Sequence, residues 1–240
     1  MVTFGKVIRS VAVVVALSGT GAFGASNITQ TKHNLSYTGP GSITASAGQS
    51  NDELCVYCHT PHAANTAFTG APLWNKKTPS GTFTLYGVGG KTMAGTTSVQ
   101  PLSPSLACLS CHDGASAINS MINMPGSGGW VATTGTNADF NTTTGGAAFT
   151  MPTSSVANLG TDLSNDHPVS IVYTAGKASL RATSDALTGT WAGGYTTVNQ
   201  LLRAGNVECG SCHDPHEGDN KTFLRTANAG SALCLGCHAK

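Results

Sequence analysis

A mostly irregular, loop-rich chain with short helices and few strands is the fold class this sequence predicts, on three observations. Only 6% of the 240 residues are aromatic, Gly, Ser, Thr and Asn are abundant, and no apolar stretch is periodic for long enough to build a regular bundle or sheet. A side-chain core is therefore thin. Domains short of apolar volume recruit disulfides, metals or cofactors, which directs attention to the eight cysteines.

The N-terminus places Lys6 and Arg9 before the apolar run Val11 to Leu17 and small residues through Gly24 and Ala25, the pattern of a secretory signal peptide over 1–25. The apolar run is far shorter than the roughly 20 residues a membrane span needs, and no transmembrane span is expected. Loss of Lys6 and Arg9 on cleavage leaves ten basic against eleven acidic residues, a net charge of −1. No basic stripe is present, so nucleic acid is discounted as a partner.

Every cysteine falls in one of four copies of C-x-x-C-H: Cys55 and Cys58 with His59, Cys108 and Cys111 with His112, Cys209 and Cys212 with His213, and Cys234 and Cys237 with His238. This spacing is the attachment signal for c-type haem: two thiols form thioethers to the porphyrin and the adjoining histidine reaches the iron. Zinc knuckles, redox dithiols and disulfides also use C-x-x-C. Four copies that each carry the histidine, behind an export signal, favour four covalently attached haem c groups. The fold class sharpens accordingly to a multihaem cytochrome c built around a chain of four stacked haems, whose faces supply most of the core.

Four histidines remain, His33, His62, His167 and His216, one for the sixth position of each iron. Bis-histidine ligation follows from that match. Met93, Met121, Met124 and Met151 are the competing sulfur ligands, and a methionine in a loop is usually gap-filler. Iron with two histidines has no open position, so outer-sphere electron transfer is expected and catalysis is not. A nitrite or hydroxylamine reductase would need one vacant iron, and no C-x-x-C-K variant provides it.

The chain also repeats itself. His33 in KHNLS is echoed by His167 in DHPVS, and CVYCHTPH at 55–62 by CGSCHDPH at 209–216. Two diheme modules, 26–117 and 160–240, are expected, joined by a Thr/Gly/Ser-rich segment 118–159 of turns, short strands and surface loops. Short helical turns are expected at each motif, with Pro61 and Pro215 in first-turn positions.

His59 and His62 stand three apart and cannot reach opposite faces of one ring, so the second must serve another haem; the same holds for His213 and His216. Two wirings satisfy the count. In one, His33, His62, His167 and His216 serve the haems of the first, second, third and fourth motifs within the chain. In the other, His216 reaches back to the first module and, by the same repeat, His62 reaches back to the preceding subunit, giving an open filament.

These motifs, with Pro72 to Asn75 and CLSCHDG at 108–114, resemble the outer-surface multihaem cytochromes of metal-reducing bacteria, in particular the tetrahaem, filament-forming OmcE type. The resemblance implies a protein that polymerises outside the cell into a continuous haem chain, delivers respiratory electrons to extracellular acceptors and donates His62 as an axial ligand across each subunit boundary. The partners implied are further copies of the chain and redox donors and acceptors. The alternative is a soluble periplasmic tetrahaem shuttle with every ligand in cis.

Overall fold

The computed structural model describes residues 27–45, 53–87, 93, 95–124, 140–142, 149–177 and 179–239, so the signal peptide expected over 1–25 lies outside the described residues. None of the described helices is long and apolar enough to cross a membrane.

Regular structure is sparse and each C-x-x-C-H motif owns a piece of it. The first motif opens on a 3-10 turn, Cys55–Tyr57. The second closes helix α1 (Ser103–His112), which starts with Pro104 in its first turn, where a missing N–H costs nothing. Its chain turns away through Gly114 at φ +66°, and a Cβ there would meet the Asn158 side chain at 2.4 Å. Beyond α2 (Val198–Leu201), the third motif forms α3 (Cys209–Cys212) and the fourth begins in the second half of α4 (Ala232–Leu235). Pro61 and Pro215 fall in bends and turns rather than in helical first turns. A proline ring disfavours helical backbone in the residue before it, here Thr60 and Asp214, and the helical turn of each motif ends before that residue.

Strands pair two by two. β1 (Ile43–Ala45) lies antiparallel to β3 (Phe140–Thr142), β2 (Thr84–Leu85) parallel to β4 (Asp162–Leu163), and β5 (Ile171–Val172) antiparallel to β6 (Asn206–Val207). Among the described residues the apolar interior is divided among four small clusters. Ala45, Tyr57, Ile118, Met121 and Met151 form one, and Phe83, Leu85, Leu109 and Leu163 another. Phe68, Ala71 and Ala107 form the third, and Tyr173, Val198 and Leu202 the fourth.

The expectation that 118–159 forms surface loops is corrected in part. Ile118, Met121 and Met151 are buried against Tyr57, because the first half of the chain has too few large apolar side chains to close its own cluster. Met121 and Met151 are gap-filling side chains there, Met124 packs on the same cluster, and the Met93 sulfur accepts from the Thr97 hydroxyl at 3.6 Å.

Candidate haem-binding site

Around the first motif the chain leaves His59, bends, and returns as Pro72 to Asn75. His59 Nδ1 donates to the Pro72 carbonyl at 2.7 Å, the Thr60 N–H to Leu73 O at 2.8 Å, and the Asn75 N–H to Cys58 O at 2.8 Å. His59 bridges to Trp74, whose ring meets it edge-on at 5.6 Å. The third motif is built the same way. His213 Nδ1 donates to Thr222 O at 2.8 Å, the Asp214 N–H to Phe223 O at 2.8 Å, the Arg225 N–H to Cys212 O at 2.9 Å, and His213 bridges to Leu224.

The repeat seen in the sequence thus extends to a returning segment that shares no residue: Pro72, Leu73, Trp74 and Asn75 correspond to Thr222, Phe223, Leu224 and Arg225. Leu73 and Phe223 both hold a left-handed backbone, at φ +56° and +60°. Buried Asn75 gives its side-chain N–H to Val56 O at 2.6 Å, and buried Arg225 gives Nε–H to Gly210 O at 2.8 Å, each to the residue after the first cysteine of its motif. Sequence reasoning missed these clamps, because different side chains make the same bond.

His112, at the end of α1, donates from Nδ1 to Ala157 O at 2.8 Å. The fourth motif is held by Tyr173, whose hydroxyl donates to Arg181 O at 2.9 Å and Cys237 O at 3.1 Å. Burial pushes that phenol up to about 12. His238 bridges to Leu180 and, with Cys234, Leu235, Gly230 and Ser231, lines an open cavity of about 440 Å³.

The four expected distal histidines divide into two pairs. His33 lies edge-on to His112 with ring centroids 6.1 Å apart, although its module partner is the Cys55 motif. Its Nδ1 donates to the Pro215 carbonyl at 3.0 Å, 182 residues away, and its ring stacks on Phe223 at 4.2 Å. His216 stands 6.1 Å from His59, with the rings 22° from parallel. Asp214 lies 3.4 Å from His216 Nδ1, and Arg225 Nη1 donates to its other oxygen at 2.9 Å; His216 first, then Arg225, draws that carboxyl down to about 2. His62 and His167 are exposed. His167 Nδ1 donates only to the neighbouring Pro168 carbonyl at 3.0 Å.

The all-in-order intramolecular wiring is not the arrangement the structure brings together, since His33 meets the second motif and His216 the first. The fold interleaves its halves at this point, and register along the chain gives no measure of that.

None of the eight cysteines is joined to another in a disulfide, and among the described residues no three or more His, Cys, Asp or Glu side chains converge to hold a metal ion. Burial pushes Cys58 and Cys212 up to about 11. Between the second and third motifs, Cys108 hydrogen-bonds Cys209, which holds the proton on Cys108. The Glu208 side chain beside them is 1% exposed; its Oε2 accepts from Ser105 and, at 2.9 Å, from Ser170, while Oε1 has no partner among the described residues.

The donor set suits haem. His33, His59, His112 and His213 each spend Nδ1–H on a backbone carbonyl, which leaves the Nε2 lone pair free for iron and fixes the ring's direction. Burial lowers the pKa of His33 and His112, keeping them neutral and ligand-ready. The indole N–H of Trp74 is buried beside His59 without an acceptor among the described residues, and a porphyrin carboxylate would satisfy it.

No curated protein matches the chain. A family model described as the doubled CXXCH motif matches residues 202–240, the third and fourth motifs. That paired motif indicates covalently bound c-type haem and supports assignment of the chain as a multihaem c-type cytochrome.

Proposed function

We propose that the chain is an exported tetrahaem c-type cytochrome that carries electrons over long distances by polymerising outside the cell into a filament. Cys55 and Cys58, Cys108 and Cys111, Cys209 and Cys212, and Cys234 and Cys237 hold the four haems, with His59, His112, His213 and His238 as proximal ligands. The observation that carries the reading is the pair of 6.1 Å ring separations, His59 with His216 and His33 with His112. Each is close to the span of two imidazoles bonded to one metal at about 2 Å from opposite sides. His216 and His33 would accordingly supply the second histidine to the first and second haems, and by the repeat His167 would supply it to the fourth.

Haem when bound supplies a one-electron couple; the protein supplies ligands and spacing. Two histidines close each iron to small molecules, which leaves outer-sphere transfer. The attachment points adjoin in chain order. Cys58 and Cys111 pack on one cluster, Cys108 meets Cys209, and Cys212 lies near Cys237 and Cys234. Such an order makes a single file of carriers.

The first module completes its ligation with His216 of the second. The corresponding residue, His62, is exposed, and the His213 that would receive it by the repeat is exposed as well. His62 of one copy is therefore the sixth ligand on the third haem of another. The expected outcome is that mass analysis finds four haems and electron microscopy finds helical filaments, while His62→Met keeps secretion and all four haems but forms no long assemblies. Discrete particles at every concentration would instead make the protein a diffusing shuttle.

A further inference from the structure

Four of the contacts by which the second module grips the first have counterpart residues one repeat away. The His216 ring faces His59, the Pro215 carbonyl accepts from His33, the Phe223 ring stacks on His33, and Cys209 meets Cys108. Moved by one repeat, these become four contacts for which the single chain offers both halves and joins neither: His62 to His213, Pro61 O to His167, Leu73 to His167, and Cys55 to Cys234.

Every residue on that second set is exposed. Leu73 is the clearest case: 54% of its surface is open to solvent, on a backbone at φ +56° that a branched side chain adopts only at a cost. Its carbonyl is tied to the Thr60 N–H and its counterpart Phe223 has a histidine to cover, but the Leu73 side chain projects outward. At the other end of the chain, His167 spends Nδ1–H on the adjacent Pro168 carbonyl, whereas His33 reaches a carbonyl on the other module. The two ends are complementary as the two internal faces are.

We propose that Leu73 and the Pro61 carbonyl form a docking knob that seats on His167 of a second copy of the chain, reproducing between molecules the hold that Phe223 and Pro215 have on His33 within one. The contact rests on the filament reading above and adds to it a non-ligand interface. The same displacement sets Cys55 of one copy against Cys234 of the other, so that the fourth haem of one adjoins the first haem of the next. In this arrangement Leu73 and Pro61 O act as positioning groups that fix the orientation of His167, while His62 binds iron.

The test uses haem-loaded protein, with assembly followed by light scattering and electron microscopy across a concentration series. Leu73→Asp places a carboxylate in the contact and should raise the concentration needed for assembly at least about tenfold, a loss of about 1.4 kcal/mol per contact. Haem content and the low-spin absorption spectrum of the unassembled protein should not change. Leu73→Phe copies the internal junction and should assemble at or below the wild-type concentration. Leu73→Gly suits the backbone and removes the knob, so it should repeat the aspartate result with the fold assured. Assembly of both Leu73→Asp and Leu73→Gly at the wild-type concentration, when His62→Met is blocked, would overturn the docking contact alone. Normal filaments from His62→Met would overturn the filament reading itself.

Discussion

Glu208 is a carboxylate that the fold keeps from water, with two serine hydroxyls for company and no cation hydrogen-bonded to it. Arg203 and Arg225, the nearby cations, give their N–H groups to the Gly210 carbonyl instead. Burial raises the Glu208 pKa above the ordinary carboxyl value, and the hydroxyls of Ser105 and Ser170 oppose that only in part. The folded state then binds the proton more tightly than the unfolded one. Its stability is undiminished below the ordinary glutamate pKa of about 4.3 and declines as pH rises through the raised value. Glu208→Gln should therefore match the wild type in denaturant midpoint near pH 4 and exceed it at pH 7; equal midpoints at both would contradict the assignment. A glutamate immediately before Cys209 was the only sign of this in the sequence, since Leu54, Ala107 and Leu233 precede the other motifs.

At the level of elements, the unit that builds the site is a motif plus the segment that comes back to cap it. The capping segment 222–225 has two consecutive non-glycine residues in the left-handed region, Thr222 at φ +58° and Phe223 at +60°. Such a conformation costs about 1 kcal/mol per residue, and it holds the Thr222 carbonyl against His213 and the Phe223 ring against His33. Thr222→Gly keeps the carbonyl and loses only an exposed side chain, so chemical denaturation should find it about 0.5 kcal/mol more stable, with the haem spectrum unchanged. The motifs, their helical turns and the candidate ligands were legible, because covalent attachment dictates residue type and spacing. The capping segments were not: PLWN and TFLR share a backbone path and a bond pattern, and neither leaves a common letter. Nor was the pairing of His33 with His112, since it depends on how two halves interleave.

At the scale of the molecule, the apolar interior among the described residues is four clusters of three to five buried residues, each lying near one or more motifs. No one cluster is large enough to hold a 240-residue chain against its conformational entropy, and the ligands across it must do much of that work. Chain made without haem should accordingly exchange its amide hydrogens as an unfolded polypeptide does, within seconds to minutes at neutral pH, and the loaded protein should protect α1 and the segments bonded to it. Substantial protection in the haem-free chain would mean that side chains alone suffice. The interleaving of the halves carries a consequence for how the protein is made. The ring of His216 stands against His59 of the first motif, and the ring of His33 is aimed by the carbonyl of Pro215. Synthesis runs from the N-terminus, so the surroundings of the earliest-made motif are among the last to be completed. A chain cut short of residue 216 leaves His59 without the ring that faces it.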